Sequence, residues 1–270
     1  MTSLNEYYGF SQTPFSRSIP TKDLFPARGH QEIQGRLAFA LQERLPALIT
    51  GDIGTGKSTA LRAFAHSLDR NLYPLAYLAN PHLNPATLYA QILLALKVQP
   101  AFSFGRLQSQ LHQALFDLTR NGRFLLLVVD EAHLLSPELF DQLRFLLNHD
   151  FDSSSQLTLV LLGQPDLAQK LTFAPYRALH QRLAVRYQLS PFDLEETAAY
   201  VKHHLRVAGF QAQLFSDGFI ADLFDHTKGG PRHINNVCRA ALLLGATENK
   251  KILDQTDLKR VLLDLDRHLA

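Results

Sequence analysis

Residues 51 to 58 read Gly-Asp-Ile-Gly-Thr-Gly-Lys-Ser, which fits the spacing G-x-x-x-x-G-K-[ST]. The apolar run 47–50 before it predicts a buried strand, and the stretch 57–68 after it has helical spacing. In this context such a loop binds phosphate, because its backbone N–H groups point inward and the helix N-terminus adds positive potential. The alternative is a glycine-rich turn that arose by chance, since the motif alone also occurs in unrelated proteins.

The loop supplies candidate ligands for a nucleotide and for a metal ion. Lys57 is placed to reach the β- and γ-phosphates, and the hydroxyl of Ser58 is placed to hold Mg²⁺. The candidate nucleotide-binding residues are Gly51, Asp52, Ile53, Gly54, Thr55, Gly56, Lys57, Ser58, Thr59 and Asp130. The sequence therefore predicts ATP and Mg²⁺ as cofactors.

A second motif, Phe-Leu-Leu-Leu-Val-Val-Asp-Glu, occupies residues 124 to 131. Its apolar run predicts a parallel strand buried on both faces, and open α/β sheets bind ligands at the carboxyl ends of such strands. Burying two carboxylates there is costly without a metal or a partner. We expect Asp130 to hold Mg²⁺ through water and Glu131 to polarise the attacking water. The alternative is a strand that happens to end in two acids at a surface turn.

The composition is that of a soluble globular protein. The chain has 270 residues, 46% apolar and 19% charged, with a net charge of +2. The single cysteine, Cys238, excludes an internal disulfide and fits a reducing compartment. No apolar stretch is long enough for a membrane span and no signal peptide is visible, so a cytoplasmic location is expected.

Strand and helix patterns alternate along the first two thirds of the chain, and only helical patterns follow Pro191. The alternation predicts an α/β fold with a parallel sheet flanked by helices, followed by a small all-helical lid domain. Residues 1–27 are rich in aromatic residues and proline, and we expect them to form an irregular arm packed on the core. The expected nucleotide-binding domain is 28–190, and the expected lid is 191–270.

Two polar residues outside the motifs extend the candidate site. Gln164 follows the predicted strand 157–163, where it is placed at the same sheet edge as Asp130 to bind the γ-phosphate or orient the water. A turn residue in Gly-Gln-Pro is the alternative. Arg232 begins a lid helix, from which it is placed to reach the bound phosphates. A solvated arginine at a helix start is the alternative there.

Three arginines precede the boundary between the two predicted domains: Arg177, Arg182 and Arg186. One of them is a candidate arginine finger, inserted into the site of a neighbouring subunit to stabilise transition-state charge. Arg182 is the leading candidate, because it follows a helical segment that we expect to end at the subunit edge. The sequence leaves the choice among the three open.

Charge is unevenly distributed, because no Asp or Glu lies between Asp69 and Asp117. An acid-free stretch suits a surface that meets phosphates, although apolar core segments also carry few charges. The candidate DNA-contacting residues in this stretch are His82, Asn84, Lys97, Ser103 and Arg106. The alternative is that Phe102 and Phe104 fill the core and that the stretch contacts no ligand.

Taken together, the motifs resemble the ExeA-type AAA+ ATPases, a family that includes the ATPase domains of the secretion proteins ExeA and GspA and transposon-encoded relatives. The resemblance covers nearly the whole chain and, besides the Gly51–Ser58 loop, rests on Tyr7-Tyr8-Gly9-Phe10, Asp130-Glu131-Ala132-His133, Leu162-Gly163-Gln164-Pro165, Gln181-Arg182-Leu183 and Gly230-Pro231-Arg232-His233-Ile234-Asn235. It implies an ATPase core, a helical lid and nucleotide-dependent oligomerisation. It also implies that Gln164 and Arg232 act as the first and second sensors of nucleotide state.

The resemblance leaves two functional classes open. Secretion-type members carry a transmembrane helix after the ATPase, whereas this chain ends at Ala270; if it is complete, it has no membrane span. The remaining relatives are similar to the transposition regulators TnsC and MuB, which implies a ring or helical oligomer on double-stranded DNA that recruits or regulates a transposase. The alternative is a cytoplasmic ATPase module that assembles a membrane secretion complex through protein partners.

Overall fold

A computed structural model of the protein describes residues 3–79, 83–148 and 155–267. Its contacts divide the chain into two compact units. The α/β unit comprises Gly29–Ile53 and Lys57–Leu189, and the arm-and-lid unit comprises Met1–Arg28, Gly54–Gly56 and Ser190–Ala270. Each unit has hydrophobic core clusters of its own.

The α/β unit is built on a parallel sheet of five strands. They are β1 (Ala47–Gly51), β2 (Leu75–Leu78), β3 (Leu125–Val129), β4 (Leu157–Gly163) and β5 (Val185–Leu189). Their order across the sheet is β2-β3-β4-β1-β5, and every neighbouring pair is parallel. Strand β4 thus lies between β1 and β3, so the carboxyl ends of these three strands meet at one edge of the sheet. The predicted parallel sheet is confirmed.

Helices cover both faces of this sheet. The helices of the α/β unit, preceded by the arm helix α1 (Leu4–Tyr8), are α2 (Arg28–Gln42), α3 (Lys57–Ser67), α4 (Pro85–Ala95), α5 (Phe104–Arg120), α6 (Pro137–Leu146), α7 (Pro165–Thr172) and α8 (Arg177–Arg182). Leu126 and Val128 of β3 pack with α2 and α3. Their neighbours Leu125, Leu127 and Val129 point the other way and pack with α4 to α8. Alternation on a strand that is apolar at every position explains burial on both faces.

The helix α7 is absent from the sequence-based prediction, in which a turn at Gly163-Gln164-Pro165 is the alternative to a site role for Gln164. In the structure Pro165 occupies the first turn of α7, where its missing N–H costs nothing and its fixed φ favours the helix. The helix is only 8 residues long, and its apolar face is carried by two buried leucines, Leu167 and Leu171. Such a short pattern is hard to distinguish from a loop by periodicity alone.

The lid contains four helices, α9 (Leu194–Val207), α10 (Asp217–Thr227), α11 (Pro231–Thr247) and α12 (Gln255–Arg267). Asp193 caps α9 by accepting from the backbone N–H of Glu196 at 2.7 Å. The Glu196 carboxylate does not form a capping box with Asp193, because it accepts from the backbone N–H of Arg28 instead. Ser216 caps α10, accepting from the N–H of Phe219 at 3.1 Å.

The N-terminal arm, which the sequence predicts to be an irregular segment packed on the core, is partly helical and packs on the core of the lid. It begins with α1, which is closed by a complete capping box between Ser3 and Glu6. Its aromatic side chains Tyr8, Phe10 and Phe15 are buried in the same cluster as the lid core. The composition of the arm shows that it must pack on apolar surface, but only tertiary structure shows which surface.

Candidate active site

The phosphate-binding loop joins β1 to α3. Gly54 and Gly56 have φ values of +82° and +100°, a region that glycine enters without strain. The Lys57 ammonium is 8% exposed and donates to the carbonyls of Gly51 at 2.6 Å and Asp52 at 2.9 Å. Phosphate oxygens are stronger partners for an ammonium than carbonyl oxygens are, so this arrangement fits an incoming phosphate.

Asp130 directly follows β3, and its carboxylate accepts hydrogen bonds at both oxygens. Its Oδ2 accepts from the hydroxyl of Tyr77 at 2.6 Å and from the hydroxyl of Ser58 at 3.0 Å. Its Oδ1 accepts from the backbone N–H of Glu131 at 2.9 Å. A buried carboxylate oxygen and a hydroxyl oxygen that converge in this way fit Mg²⁺, which takes oxygen ligands. The residues present therefore suit the metal predicted from the sequence.

Glu131 follows Asp130 but lies in a different environment. Its side chain is 48% exposed, and its backbone is in the left-handed region with φ 51°. A non-glycine residue held there costs about 1–3 kcal/mol and persists only where the surroundings fix it. The bond from the Glu131 N–H to Asp130 is one such constraint. The strained turn leaves the Glu131 carboxylate accessible, while the carboxylate of Asp130 is buried.

Gln164 lies at the carboxyl end of β4. This strand is flanked by β1, which leads into the phosphate-binding loop, and by β3, which is followed by Asp130 and Glu131. The side-chain nitrogen of Gln164 is 3.0 Å from Nε2 of His133. The other ring nitrogen of His133, Nδ1, is 3.5 Å from Oε2 of Glu131. The strand order thus brings Gln164 to the sheet edge that also carries Asp130 and Glu131.

Three residues of this edge are not among the sequence-based candidates: Tyr77, His133 and Lys170. Lys170 donates to the carbonyls of His133 at 2.8 Å and Leu135 at 2.9 Å, and so fixes the turn after the two acids. Burial lowers the pKa of Lys170. The signals available were the histidine in Asp-Glu-Ala-His and a tyrosine in the second strand, but neither shows what it faces.

The hydroxyl of Tyr77 remains a proton donor to Asp130. Burial raises its pKa, and the hydrogen bond and negative charge of Asp130 raise it further. Tyr77 is the third residue of β2, and β2 pairs with β3 so that Tyr77 lies opposite Val128. The pairing therefore places the Tyr77 side chain beside the carboxyl end of β3, where Asp130 follows.

Arg232 occupies the second position of α11 in the arm-and-lid unit, with an exposed side chain. Its backbone N–H donates to the carbonyl of Gly54 at 3.3 Å, and Gly54 belongs to the same unit. A Cβ added to Gly54 would lie 2.9 Å from the Cβ of Arg232. The close approach and the positive φ both explain why glycine occupies this position.

The three finger candidates differ in their own contacts. Arg186 donates to the carbonyls of Leu183 at 2.9 Å and His180 at 2.6 Å, so its guanidinium is fixed within the chain. Arg182 donates to the side-chain oxygen of Asn148 at 2.6 Å. Arg177 begins α8 and is exposed.

The DNA candidates fall at the two ends of the helical hairpin formed by α4 and α5. His82 lies outside the described residues. Asn84 is used as the N-cap of α4, since its Oδ1 accepts from the N–H of Thr87 at 2.8 Å. Lys97, Ser103 and Arg106 are exposed.

The connection between α4 and α5 presents an aromatic side chain to solvent. Phe102 has a relative exposure of 107%, so the alternative interpretation, in which it fills the core, is wrong for this residue. Phe104 is partly exposed and packs edge-on against Tyr89, with ring centroids 5.4 Å apart. The side chain of Gln110 accepts from the N–H of Ala101 at 2.8 Å and donates to the carbonyl of Gln99 at 3.3 Å. The exposed segment is therefore held in a defined conformation.

Comparison with known proteins agrees with this geometry. The family described as AAA domain matches residues 41–171. The chain is 34% identical over 247 residues to the general secretion pathway protein A of Aeromonas hydrophila, an alignment covering 88% of this chain. The chain is an AAA ATPase. The similarity to the secretion protein confirms the predicted resemblance, and the chain spans 44% of that relative's length.

Solved structures share the fold of this AAA ATPase. Cdc6p from Pyrobaculum aerophilum matches with a TM-score of 0.70 and 18% identity, covering 92% of this chain and 69% of that one. Drosophila ORC bound to DNA matches with a TM-score of 0.72 and 18% identity, covering 93% and 64%. The ORC1 protein of Aeropyrum pernix in complex with DNA matches with 0.69 and 18%, covering 92% and 67%. At this identity the likeness shows the fold alone.

Within residues 3–79, 83–148 and 155–267, none of the helices combines the length and hydrophobicity needed to cross a membrane.

Proposed function

We propose that this AAA ATPase hydrolyses Mg²⁺-ATP, with Glu131 as the general base and with Ser58 and Asp130 as metal ligands. The observation that carries the proposal is the 3.0 Å approach of the Ser58 hydroxyl to the Asp130 carboxylate, next to the accessible Glu131. Mg²⁺, when bound, neutralises charge that develops on the phosphates. Asp130 and Ser58 would hold it, and Glu131 would take a proton from the attacking water.

Three further residues have proposed roles toward the phosphates. Lys57 would exchange its two carbonyl partners for phosphate oxygens. Gln164 would donate its amide N–H to the γ-phosphate, and Arg232 would contact the phosphates from the lid. These assignments follow from residue type and position, because a charge-assisted donor at each point stabilises charge that hydrolysis creates.

Binding of a fluorescent ATP analogue tests the ligand assignments. Lys57→Ala should lose binding at all Mg²⁺ concentrations, whereas Asp130→Asn should bind the analogue but lose the Mg²⁺ dependence of its affinity. The matched control is Asp166→Asn, which removes an exposed carboxylate from the first turn of α7. Unchanged Mg²⁺ dependence in Asp130→Asn would reject the metal assignment.

We also propose that ATP drives self-association and that Arg182 acts in trans. Arg186 donates to two backbone carbonyls, whereas Arg182 donates to the side chain of Asn148, which can rotate away. This difference supports Arg182 or Arg177 over Arg186. Arg182→Ala should lose hydrolysis and keep ATP affinity, because a finger acts on the transition state. Mixing it with Lys57→Ala should restore part of the activity. If Arg177→Ala shows this pattern instead, Arg177 is the finger. Full activity of a monomer would contradict trans action altogether.

For the cellular role, we propose assembly of a membrane secretion complex through protein partners. Support comes from the 34% identity to general secretion pathway protein A, a far closer relation than the fold likeness to DNA-bound ORC proteins. Cross-linking in the natural cell should enrich envelope proteins with Glu131→Gln, which retains ATP, relative to Lys57→Ala. Enrichment of a transposase would overturn this role.

Binding to duplex DNA, followed by regulation of a transposase, is the second candidate. One observation favours it: Lys97, Ser103 and Arg106 are exposed around the fully exposed Phe102 on the connection between α4 and α5. Basic groups and a hydroxyl suit contacts to phosphates without base readout. In an ATP-bound oligomer these contacts would repeat along the backbone, so few charges per subunit would suffice.

Anisotropy with random duplex DNA and a non-hydrolysable ATP analogue separates the two roles. The test variant is Lys97→Glu with Arg106→Glu. The matched control, Arg70→Glu with Arg120→Glu, makes the same charge change at exposed positions, and Arg120 lies about 20 Å along α5 from Arg106. Loss of salt-sensitive binding in the test variant alone would support the DNA role. No binding by the wild type would leave the protein-partner role.

A further inference from the structure

A lysine outside the phosphate-binding loop holds the turn that begins with Glu131. Lys170 lies in α7, and its ammonium donates to the carbonyls of His133 at 2.8 Å and Leu135 at 2.9 Å. These carbonyls lie at the C-terminal end of the 3₁₀ turn Ala132–Leu134, where a helical turn has no N–H groups of its own left to offer them. Lys170 therefore fixes the turn at the end opposite to Glu131.

Glu131 is held at the other end of the same turn by its own backbone. Its N–H donates to Oδ1 of Asp130 at 2.9 Å, and its carbonyl accepts from the N–H of Leu134 at 3.0 Å. Its φ of 51° is a conformation that a residue with a side chain keeps only where its surroundings impose it. A turn fixed at both ends meets that condition, and Lys170 supplies the second fixed end.

The surroundings of the Lys170 ammonium restrict it to this position. It lies 5.3 Å from the ring centroid of Phe140 and 5.7 Å from that of Tyr176, and the two rings pack edge-on with centroids 5.0 Å apart. Burial lowers the pKa of Lys170, which indicates an ammonium that has lost part of its hydration. Withdrawing it from the two carbonyls would leave this partly desolvated charge without its hydrogen-bond partners, which is costly.

The segment that carries Lys170 also begins with Gln164. The helix α7 starts at the residue after Gln164, and the side-chain nitrogen of Gln164 is 3.0 Å from Nε2 of His133. A Cβ added to Gly163 would lie 2.6 Å from a side chain of α7 and 3.5 Å from the backbone nitrogen of His133, so the end of β4, α7 and the turn are in close contact. One short helix thus fixes the turn of Glu131 relative to Gln164.

We propose that Lys170 is a positioning residue for hydrolysis, whose ammonium ties the turn of Glu131 to α7 and keeps the Glu131 carboxylate at a fixed distance from Gln164. A general base must stay within hydrogen-bond reach of the attacking water, and a displacement of about 1 Å can cost about 10²-fold in rate. Lys170 acts through the backbone of the turn and not on the reacting atoms. This inference rests on the proposed role of Glu131 as the general base.

Lys170→Met tests the tie, because it removes the ammonium and keeps an unbranched side chain of similar length. We expect kcat to fall about tenfold or more, because the base is no longer held in place. The affinity for a fluorescent ATP analogue, and its Mg²⁺ dependence, should stay within about twofold, since no proposed nucleotide or metal ligand changes. Lys170→Arg, whose guanidinium can donate to both carbonyls, should keep about a third or more of the wild-type kcat.

The matched control is Gln169→Met, which introduces the same side chain at the exposed neighbouring position of α7 and should behave as the wild type. Hydrogen exchange gives a readout that does not depend on activity. The amides of Glu131 and Leu134 should exchange faster in Lys170→Met than in Gln169→Met, while the amides of β4 stay protected in both. Thermal unfolding confirms that each variant is folded at the assay temperature.

A double substitution shows whether Lys170 acts through Glu131. Adding Lys170→Met to Glu131→Gln should not lower the single-turnover rate of hydrolysis any further, because the base that Lys170 positions is already lost. If Lys170→Met is unfolded at the assay temperature, Lys170→Gln, which keeps a donor for one carbonyl, replaces it with the same expectations for affinity, hydrogen exchange and the double substitution.

Three results would overturn the inference. They are a wild-type kcat in a folded Lys170→Met, a fall in kcat that adds in full to that of Glu131→Gln, and a loss of ATP affinity as large as the loss of kcat. Failure of the proposed function has a different signature, in which Glu131→Gln itself hydrolyses ATP at the wild-type rate. If Glu131→Gln is inactive and Lys170→Met is fully active, the base assignment stands and only the role of Lys170 is rejected.

Discussion

The hydrophobic cores of the two units differ in the kinds of side chain that they contain. The α/β unit has an aliphatic core of leucine, valine and isoleucine on both faces of the sheet. Its polar groups gather at one edge, around Asp130. The arm-and-lid unit has a core rich in aromatic rings, in which Phe15 stacks on His204 at 5.1 Å and Tyr200 meets the same histidine at 4.4 Å.

The two units also differ in what a single side chain contributes to the structure. At the edge of the α/β unit, side chains are fixed by hydrogen bonds above a core that they do not fill. In the arm-and-lid unit, one ring fills space and also joins segments that are far apart in sequence. Phe15 has φ 58° and donates its N–H to Nδ1 of His204, 189 residues away, at 3.3 Å. We therefore expect edge substitutions to change chemistry and core substitutions in the arm-and-lid unit to change stability.

The largest effect is expected from Glu131→Gln. Removing a general base should lower kcat by about 10²–10⁴-fold. ATP affinity and the unfolding midpoint should remain at wild-type values, because the carboxylate is half exposed and fills no core. Steady-state hydrolysis and analogue binding check this, with the exposed Glu138→Gln as a control for loss of a negative charge. A large loss of stability in Glu131→Gln would contradict the expectation that substitutions at the sheet edge change chemistry rather than stability.

The reverse pattern is expected for Phe15→Ala. Phe15 is 1% exposed in the arm-and-lid core, and truncating a buried phenylalanine costs about 3–5 kcal/mol of unfolding free energy. Hydrogen exchange should place the loss in the arm and lid helices. Phe102→Ala is the control, since a fully exposed ring should change stability by no more than about 0.5 kcal/mol. Equal destabilisation by both substitutions would contradict the packing described above.

Acid should weaken the arm-and-lid unit through His204. Burial, and then the neighbouring His203, lower the pKa of His204 from its ordinary value of 6.5 to about 4. The unfolded chain therefore binds more protons than the folded one between these values, and stability is lost as pH falls from 6.5 to 4. The loss attributable to this group is on the order of 3 kcal/mol.

The matched variant for this effect is His204→Asn, whose side-chain oxygen can accept from the Phe15 N–H but does not titrate in this range. Urea unfolding at pH 7 and at pH 4.5 should show a smaller difference between the two conditions in the variant than in the wild type. An equal pH dependence in the two proteins would assign the acid sensitivity to other groups.

The smallest effect is expected from Tyr77→Phe, which removes one donor from Asp130. Partners of a metal ligand orient it, so the Mg²⁺ concentration for half-maximal nucleotide binding should rise. Because Tyr77 is partly exposed, we expect about 1 kcal/mol, or roughly a fivefold shift. Titration of Mg²⁺ with the fluorescent analogue measures it. Tighter Mg²⁺ binding in the variant would mean that the tyrosine competes with the metal.

Local sequence patterns already specified much of the α/β unit. The apolar run before the glycine loop is β1, and the run 157–163 is β4. The apolar run before Asp130 and Glu131 is β3, which ends at the predicted edge of the sheet. Burial of consecutive apolar residues is a local signal, because a strand buried on both faces needs them at every position. Two glycines of the loop, Gly54 and Gly56, are likewise explained by their positive φ.

Only the tertiary structure decided what these elements face. The order β2-β3-β4-β1-β5 brings Tyr77 to Asp130 and Gln164 to His133, and no periodicity encodes which strands are neighbours. The arm's aromatic residues likewise specified burial but not their partner, which is the lid core. The physical reason is the same in both cases. The pattern of apolar residues in a segment indicates which of its side chains must be buried, whereas the partners of those side chains are determined by packing between segments far apart in the chain.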